Sequence, residues 1–226
     1  MFDLFVNTAD TGDMTLTTAG TIALWVLFAI LVLSATYLTS KGKKTTLQTK
    51  QIVFCGVGLA LAIVTSYIQV YSFPFGGSVT LMSMLFICFI GFLYGPKTSI
   101  PVAIAYGILQ LILKPYIYHP IQVIFDYPLA FGALGLSGFF YKSKYGLIKG
   151  YILGVIGRWI FASVSGYVFF AEYAWDGWNP IAYTLAYNGA YIFTEALVTL
   201  LLLLLPVVYI AFAHVKKMAL ENETLH

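Results

Sequence analysis

The stretch HPIQVIFDYPLAFGALGLSG, residues 119–138, is apolar enough to lie in a bilayer, yet it carries a carboxylate, Asp126, beside Tyr127 and Pro128. A membrane-crossing helix needs ~20 mostly apolar residues, and this stretch supplies them. The chain around it agrees. Of its 226 residues, 60% are hydrophobic and 9% charged, whereas soluble domains carry about 25% charged residues. The composition reads as an integral membrane protein and excludes a nucleic-acid-binding chain, because no segment has a dense basic, polar face. The two cysteines, Cys55 and Cys88, lie in apolar runs and read as small buried hydrophobes.

Outward from this stretch, seven apolar runs read as spans, at about 21–39, 51–71, 79–95, 99–114, 121–141, 148–170 and 183–213. Backbone groups in lipid must pair internally, so helices are the economical form. The expected class is therefore an all-α integral membrane protein. The leader MFDLFVNTADTGDMTLTTAG has no Lys or Arg, and a signal peptide needs a positive n-region; the first run is expected to remain as an uncleaved span. Lys41, Lys43, Lys44, Lys50, Lys97, Lys142, Lys144, Lys149, Lys216 and Lys217 all fall on one side if the spans alternate, against Lys114 alone on the other. By the positive-inside rule this puts the N-terminus outside and the C-terminus in the cytoplasm. The expected organisation is an extracytoplasmic segment 1–20, an extra transmembrane helix 21–40, a basic cytoplasmic linker 41–50, a six-helix domain 51–217 and a cytoplasmic tail 218–226.

Ionisable groups within spans are costly and are functional candidates by default. Away from the span ends there are three: Asp126, Arg158 and Glu195. The bland account is mutual pairing, with Arg158 bonded to an acid as structural glue. Asp126 has a second account. Aromatic residues crowd the outer loops and helix ends, among them Tyr116, Tyr127, Phe170, Tyr183 and Tyr187, with the amide of Asn188 at the same depth. Many of these serve as interfacial belt residues. A carboxylate, ring faces and an amide together also make a receptor for a flat organic cation. Tyr183 and Asn188 are five residues apart, about 140° on a helix, so they share a face only if Tyr183 sits in the entry turn.

Enzyme signatures are missing: GPKTS at 95–99 lacks the spacing of a phosphate loop, and there is no GxSxG, HExxH or His/Cys metal cluster. No metal or cofactor is expected, and uphill transport would need an outside energy source. The second run carries Gly56, Gly58, Ala60 and Ala62 as small-xxx-small pairs, a pattern that lets helices approach closely.

FPFGGSVTLMSM, YGILQLILKPYIYHPIQVIFDYPLAFGALGLSG, GRWIFASVSGYVFF and YAWDGWNPIAYTLAYNGAY, met in that order over about residues 51–213, resemble the ThiT family, the thiamine-specific S-components of energy-coupling factor (ECF) vitamin importers. The resemblance implies a six-helix S-component core, here with one extra N-terminal helix, and a site for thiamine open to the outside. It implies as partners a transmembrane T-component and two cytoplasmic ATPases, with Gly56, Gly58, Ala60 and Ala62 contacting the T-component. Carried over by position, Asp126 matches the acidic site residue, Tyr116, Tyr183 and Asn188 match ligand contacts, Tyr127 joins them, and Phe170 stands where some members have a stacking Trp. Ala162 stands where a site His of the family falls. That departure keeps open a thiamine precursor or a related cationic or pyrimidine ligand. A membrane sensor or scaffold built on the extra helix is the reading from another class.

Overall fold

The computed structural model describes residues 6–8, 14–23, 26 and 49–221. The extra helix expected over 21–40, the linker up to residue 48 and the last five residues therefore lie mostly or wholly outside the described residues. Two short strands, β1 (Val6–Thr8) and β2 (Met14–Leu16), pair antiparallel near the N-terminus.

The core begins with α1 (Thr49–Tyr67). The expected span to residue 71 stops at Tyr67, because IQVYSFPFGG leaves the helix. Its β-branched and aromatic residues favour a strand, and β3 (Gln69–Ser72) pairs antiparallel with β4 (Ser78–Thr80) across a turn at Pro74–Gly76. Gly76 makes the reversal at φ 88°, where glycine has no steric penalty. Among the described residues the structure is thus mainly helical with two small hairpins, a correction to the all-α expectation. Then follow α2 (Ser83–Tyr94), α3 (Pro96–Leu113), α4 (Pro120–Phe140), α5 (Gly146–Phe170), α6 (Pro180–Leu203) and α7 (Pro206–Leu220).

Five of these helices, α1, α3, α4, α5 and α6, are long and apolar enough to cross a membrane. The run at 79–95 yields only the 12-residue α2, about 18 Å long at 1.5 Å per residue. All of α2 except Phe86 and Tyr94 is buried. A helix apolar on every side is one that other helices surround, and α2 is the centre of the main core cluster with Met84, Ile87, Cys88 and Ile90 inaccessible. The single long run read at 183–213 is broken. Pro206 has no N–H for the Leu202 carbonyl and its ring opposes helix continuation; Leu205 turns extended at ψ 122° and α7 restarts after it.

The expected helix–helix stripe also divides. Gly58 faces α2, where a Cβ would meet Ile90 at 3.0 Å, and Ala62 is fully buried with its carbonyl accepting from Tyr106 Oη (3.4 Å). Gly56 and Ala60 are exposed. Two residues of offset rotate a helix face by about 200°, so the Gly58/Ala62 pair packs internally and only Gly56/Ala60 is open to a partner.

One local irregularity positions the site. Pro128 cannot close an ordinary helical bond, and over Phe125–Leu129 the helix widens to a π turn in which Ala130 N–H donates to the Phe125 carbonyl. Such turns recur at functional sites. Asp126 lies on it. Gly107 of α3 lets the turn approach: a Cβ there would strike the Tyr127 carbonyl. Gly107→Val is accordingly expected to lower thermal stability in detergent by about 1–3 kcal/mol, the usual cost of overpacking. An unchanged melting temperature would show that α3 and the π turn do not touch there.

Candidate functional site

The helices and the β3–β4 hairpin enclose a cavity of about 380 Å³. All six residues expected to contact a ligand line it: Tyr116, Asp126, Tyr127, Phe170, Tyr183 and Asn188. They come from the α3–α4 loop, the π turn of α4, the end of α5 and the first half of α6. Gly76, Gly77, Ser78 and Thr80 supply the hairpin wall.

Asp126 is half-buried and held by a helical neighbour. Gln122 Nε2 donates to Asp126 Oδ2 at 2.5 Å and to the Tyr116 carbonyl at 3.3 Å, while its Oε1 accepts from Tyr118 N–H at 3.1 Å. Gln122 is fully buried, and a spacing of four residues places it over Asp126 on the helix. One amide therefore fixes both the carboxylate and the loop that carries Tyr116. His119 caps the start of α4, its Nδ1 accepting from Ile121 N–H at 3.2 Å.

Tyr127 is bound to backbone on both sides. Its hydroxyl donates to the Lys114 carbonyl (2.9 Å) and accepts from Tyr116 N–H (2.8 Å). Only its ring is left to face a ligand. Aromatic surfaces continue around the cavity: Tyr116 stacks on Phe170 at 6.1 Å and 28°, and Tyr183 on Tyr187 at 5.9 Å and 29°. Tyr183 falls in the first turn of α6, which starts at Pro180, so it reaches the cavity together with Asn188 despite their angular offset. Asn188 Oδ1 accepts from Tyr191 Oη at 2.8 Å, and its Nδ2 donates to the Thr184 carbonyl at 3.0 Å.

The two other ionisable groups of the spans do not pair. Arg158 lines the cavity half-buried, its guanidinium 4.4 Å from the Phe131 ring centre. It makes no hydrogen bond or ion pair among the described residues. Glu195 lies apart from it, 3% exposed, and accepts hydrogen bonds from the hairpin and the start of α2. Mutual pairing of Arg158 with Glu195 is thereby overturned. Asp126 and Arg158 share the cavity and lie within electrostatic reach of one another. Ala162, one turn beyond Arg158, also lines it and offers only a methyl group.

Reading the sequence by residue class left out three further contributors, Gln110, Gln122 and Lys114. Lys114 Nζ donates to the Ser66 carbonyl at 2.7 Å and sits 4.3 Å from the Tyr67 ring centre; partial burial lowers its pKa below the usual lysine value. At the rim, Tyr118 Oη donates to Glu172 Oε1 at 2.9 Å. That carboxylate holds the phenol protonated and pushes Tyr118 up to about 12. The signal for Gln122 was available in its spacing from Asp126; Lys114 carried none, because it reads as an ordinary loop cation.

A carboxylate and a guanidinium at one end of a cavity walled by rings can hold a planar ligand that offers both donors and acceptors.

Comparison with known proteins points to one family. The family model described as "Thiamine transporter protein (Thia_YuaJ)" matches residues 52–215. The thiamine transporter ThiT of Bacillus subtilis is 30% identical over 148 residues, covering 59% of this chain and 77% of the relative. The thiamine transporter ThiT of Lacticaseibacillus paracasei is 29% identical over 128 residues, covering 47% and 64%. A solved structure of ThiT from Listeria monocytogenes superimposes with a TM-score of 0.58 at 24% identity, covering 70% of this chain and 96% of the other; it supports the fold.

Tyr127→Phe keeps the ring and removes the hydroxyl that serves two backbone groups. It is expected to cost about 1–3 kcal/mol of stability, read as an earlier thermal transition in detergent. Wild-type stability would mean that the α3–α4 loop is held by other bonds.

Proposed function

This chain belongs to the thiamine transporter protein family, and on that premise we propose that it is the substrate-binding subunit of an ATP-driven ECF importer, taking thiamine from the outside. It is a transporter of the cell membrane with several spans, and not an enzyme. In this reading the chain crosses the membrane seven times, N-terminus outside, with residues 51–217 as the six-helix core. The energy comes from two cytoplasmic ATPases through a T-component that packs on the exposed Gly56/Ala60 face of α1.

The observation that carries the reading is the convergence of Asp126, Tyr116, Tyr127, Phe170, Tyr183 and Asn188 on one cavity. Thiamine joins a permanently cationic thiazolium to an aminopyrimidine. A guanidinium repels the thiazolium, so the end with Asp126 and Arg158 takes the aminopyrimidine. Asp126 accepts from its amino group, and Arg158 donates to a ring nitrogen. The thiazolium lies on the ring faces of Tyr116, Phe170 and Tyr183, where cation–π attraction favours it.

A second reading rests on Ala162. With a methyl group on that wall, the cavity also suits a thiamine precursor that carries only the pyrimidine. Competition of thiamine against its separate pyrimidine and thiazole halves distinguishes the two. Thiamine far ahead of either half supports the first reading, and parity with the pyrimidine half supports the second.

Trp175 packs edge-on to Tyr183 at 5.4 Å, which provides a fluorescence reporter for titration. Asp126→Asn is expected to weaken thiamine binding by 10-fold or more, on the order of 1.4 kcal/mol. Unchanged affinity in that titration would remove Asp126 from the site.

A further inference from the structure

Glu195 is the ionisable group of the spans that the binding reading leaves unused. Its two oxygens serve two different elements. Oε2 accepts from Thr80 N–H (3.0 Å) and Thr80 Oγ1 (2.6 Å), at the end of the hairpin that walls the cavity. Oε1 accepts from Met84 N–H (3.2 Å) and Ser83 Oγ (3.4 Å), in the first turn of α2. Between these anchors stands Met82, a non-glycine residue at φ 58° that caps α2 with no side-chain hydrogen bond. The left-handed backbone is unfavourable for methionine and persists only where its surroundings hold it. A carboxylate also favours the positive end of the helix it caps.

Glu195 lies on the same helix as the cavity wall. It is seven residues after Asn188 and four after Tyr191, which puts all three within an arc of about 60° on one face. Tyr187 and Tyr191, from the same helix, pack against Phe73 of the hairpin, and Tyr187 Oη donates to the Pro74 carbonyl. The hairpin is thus joined to α6 at its turn by tyrosines that line the cavity and at its base by Glu195.

We propose that Glu195 is a positioning residue for ligand retention: it clamps the strained Thr80–Met84 junction to α6, so that the hairpin wall and the Asn188 wall hold the ligand as one body. This rests on the thiamine reading for its ligand, though the clamp itself is a property of the protein alone. Freed of Glu195, the hairpin would part from α6 and the ligand would leave faster. Its rate of entry, through the same mouth, would change far less.

The test uses the full chain in detergent and two variants. Glu195→Gln disturbs both arms; Thr80→Val removes the Thr80 hydroxyl, with its bonds to Glu195 and to Ser83 Oγ (2.7 Å), and keeps the Met84 N–H bond by which Glu195 caps α2. Hydrogen–deuterium exchange of residues 69–80 is measured without ligand, and thiamine association and release by stopped-flow fluorescence. In both variants hairpin exchange is expected to rise and release to accelerate by about 10-fold, the weight of a hydrogen bond to a charged acceptor. Unchanged exchange in Thr80→Val, or equal losses in association and release, would reduce Glu195 to a cap of α2 and overturn the proposal. If the wild-type chain binds no thiamine, the ligand reading falls, and the exchange data alone decide the clamp.

Discussion

A charge placed at membrane depth must find a partner, because the surroundings supply no water to solvate it. The three charged side chains away from the ends of the long helices, Asp126, Arg158 and Glu195, meet this constraint to different degrees. Glu195 is fully served by backbone and hydroxyl donors. Asp126 has one strong donor, Gln122, and otherwise faces the cavity. Arg158 lies against the Phe131 ring and within electrostatic reach of Asp126. The degree of satisfaction separates their roles. A fully bonded group holds structure, whereas groups left short beside a cavity favour a ligand that completes them.

Small residues make that arrangement reachable. The second half of α4 carries GALGLSG, and its glycines lie against α3: a Cβ at Gly135 would meet Ile100, and one at Gly138 would strike Pro96, while Gly91 of α2 and Gly150 and Gly154 of α5 lie in turn against α4. Such close approach brings α2 to the centre of the core. The ring faces that line the cavity are rigid and lose little freedom when a ligand settles on them, so binding need not offset much ordering.

Much of this was readable from residue type and order. Asp126, its aromatic neighbours and Asn188 stand out because a carboxylate and an amide are rare among so many apolar residues. Their meeting in one cavity follows from helices that the apolar runs already mark. The rest depended on three-dimensional facts that composition does not carry. Hydropathy could not tell that the run at 79–95 is the end of a hairpin followed by a short central helix, since a buried helix and a lipid-facing one have the same composition. Nor could it tell which of Gly56, Gly58, Ala60 and Ala62 face inward, as that depends on rotation about the helix axis. Pairing of Arg158 with an acid is the bland account because sequence pairs opposite charges without seeing the backbone donors of Thr80 and Met84 that serve Glu195. Pro206, by contrast, is a visible signal, since a proline within an apolar run opposes helix continuation wherever it falls, and the structure interrupts the run there.

The π turn at Phe125–Leu129 has a consequence for how this helix tolerates change. It inserts one residue into the helical count, which rotates everything after it by about 100° relative to a continuous α-helix. The faces before and after the turn are thus set out of phase on purpose: Gln122 and Asp126 address the cavity, and Gly135 and Gly138 address the neighbouring backbones. A one-residue deletion there would remove the π turn and Pro128's difficulty, although the helix would still tighten to 3-10 geometry over Ala133–Phe140. It would also swing the glycine face away from its neighbours, so the reading frame of the helix, as much as any side chain, is a quantity that this site has to conserve.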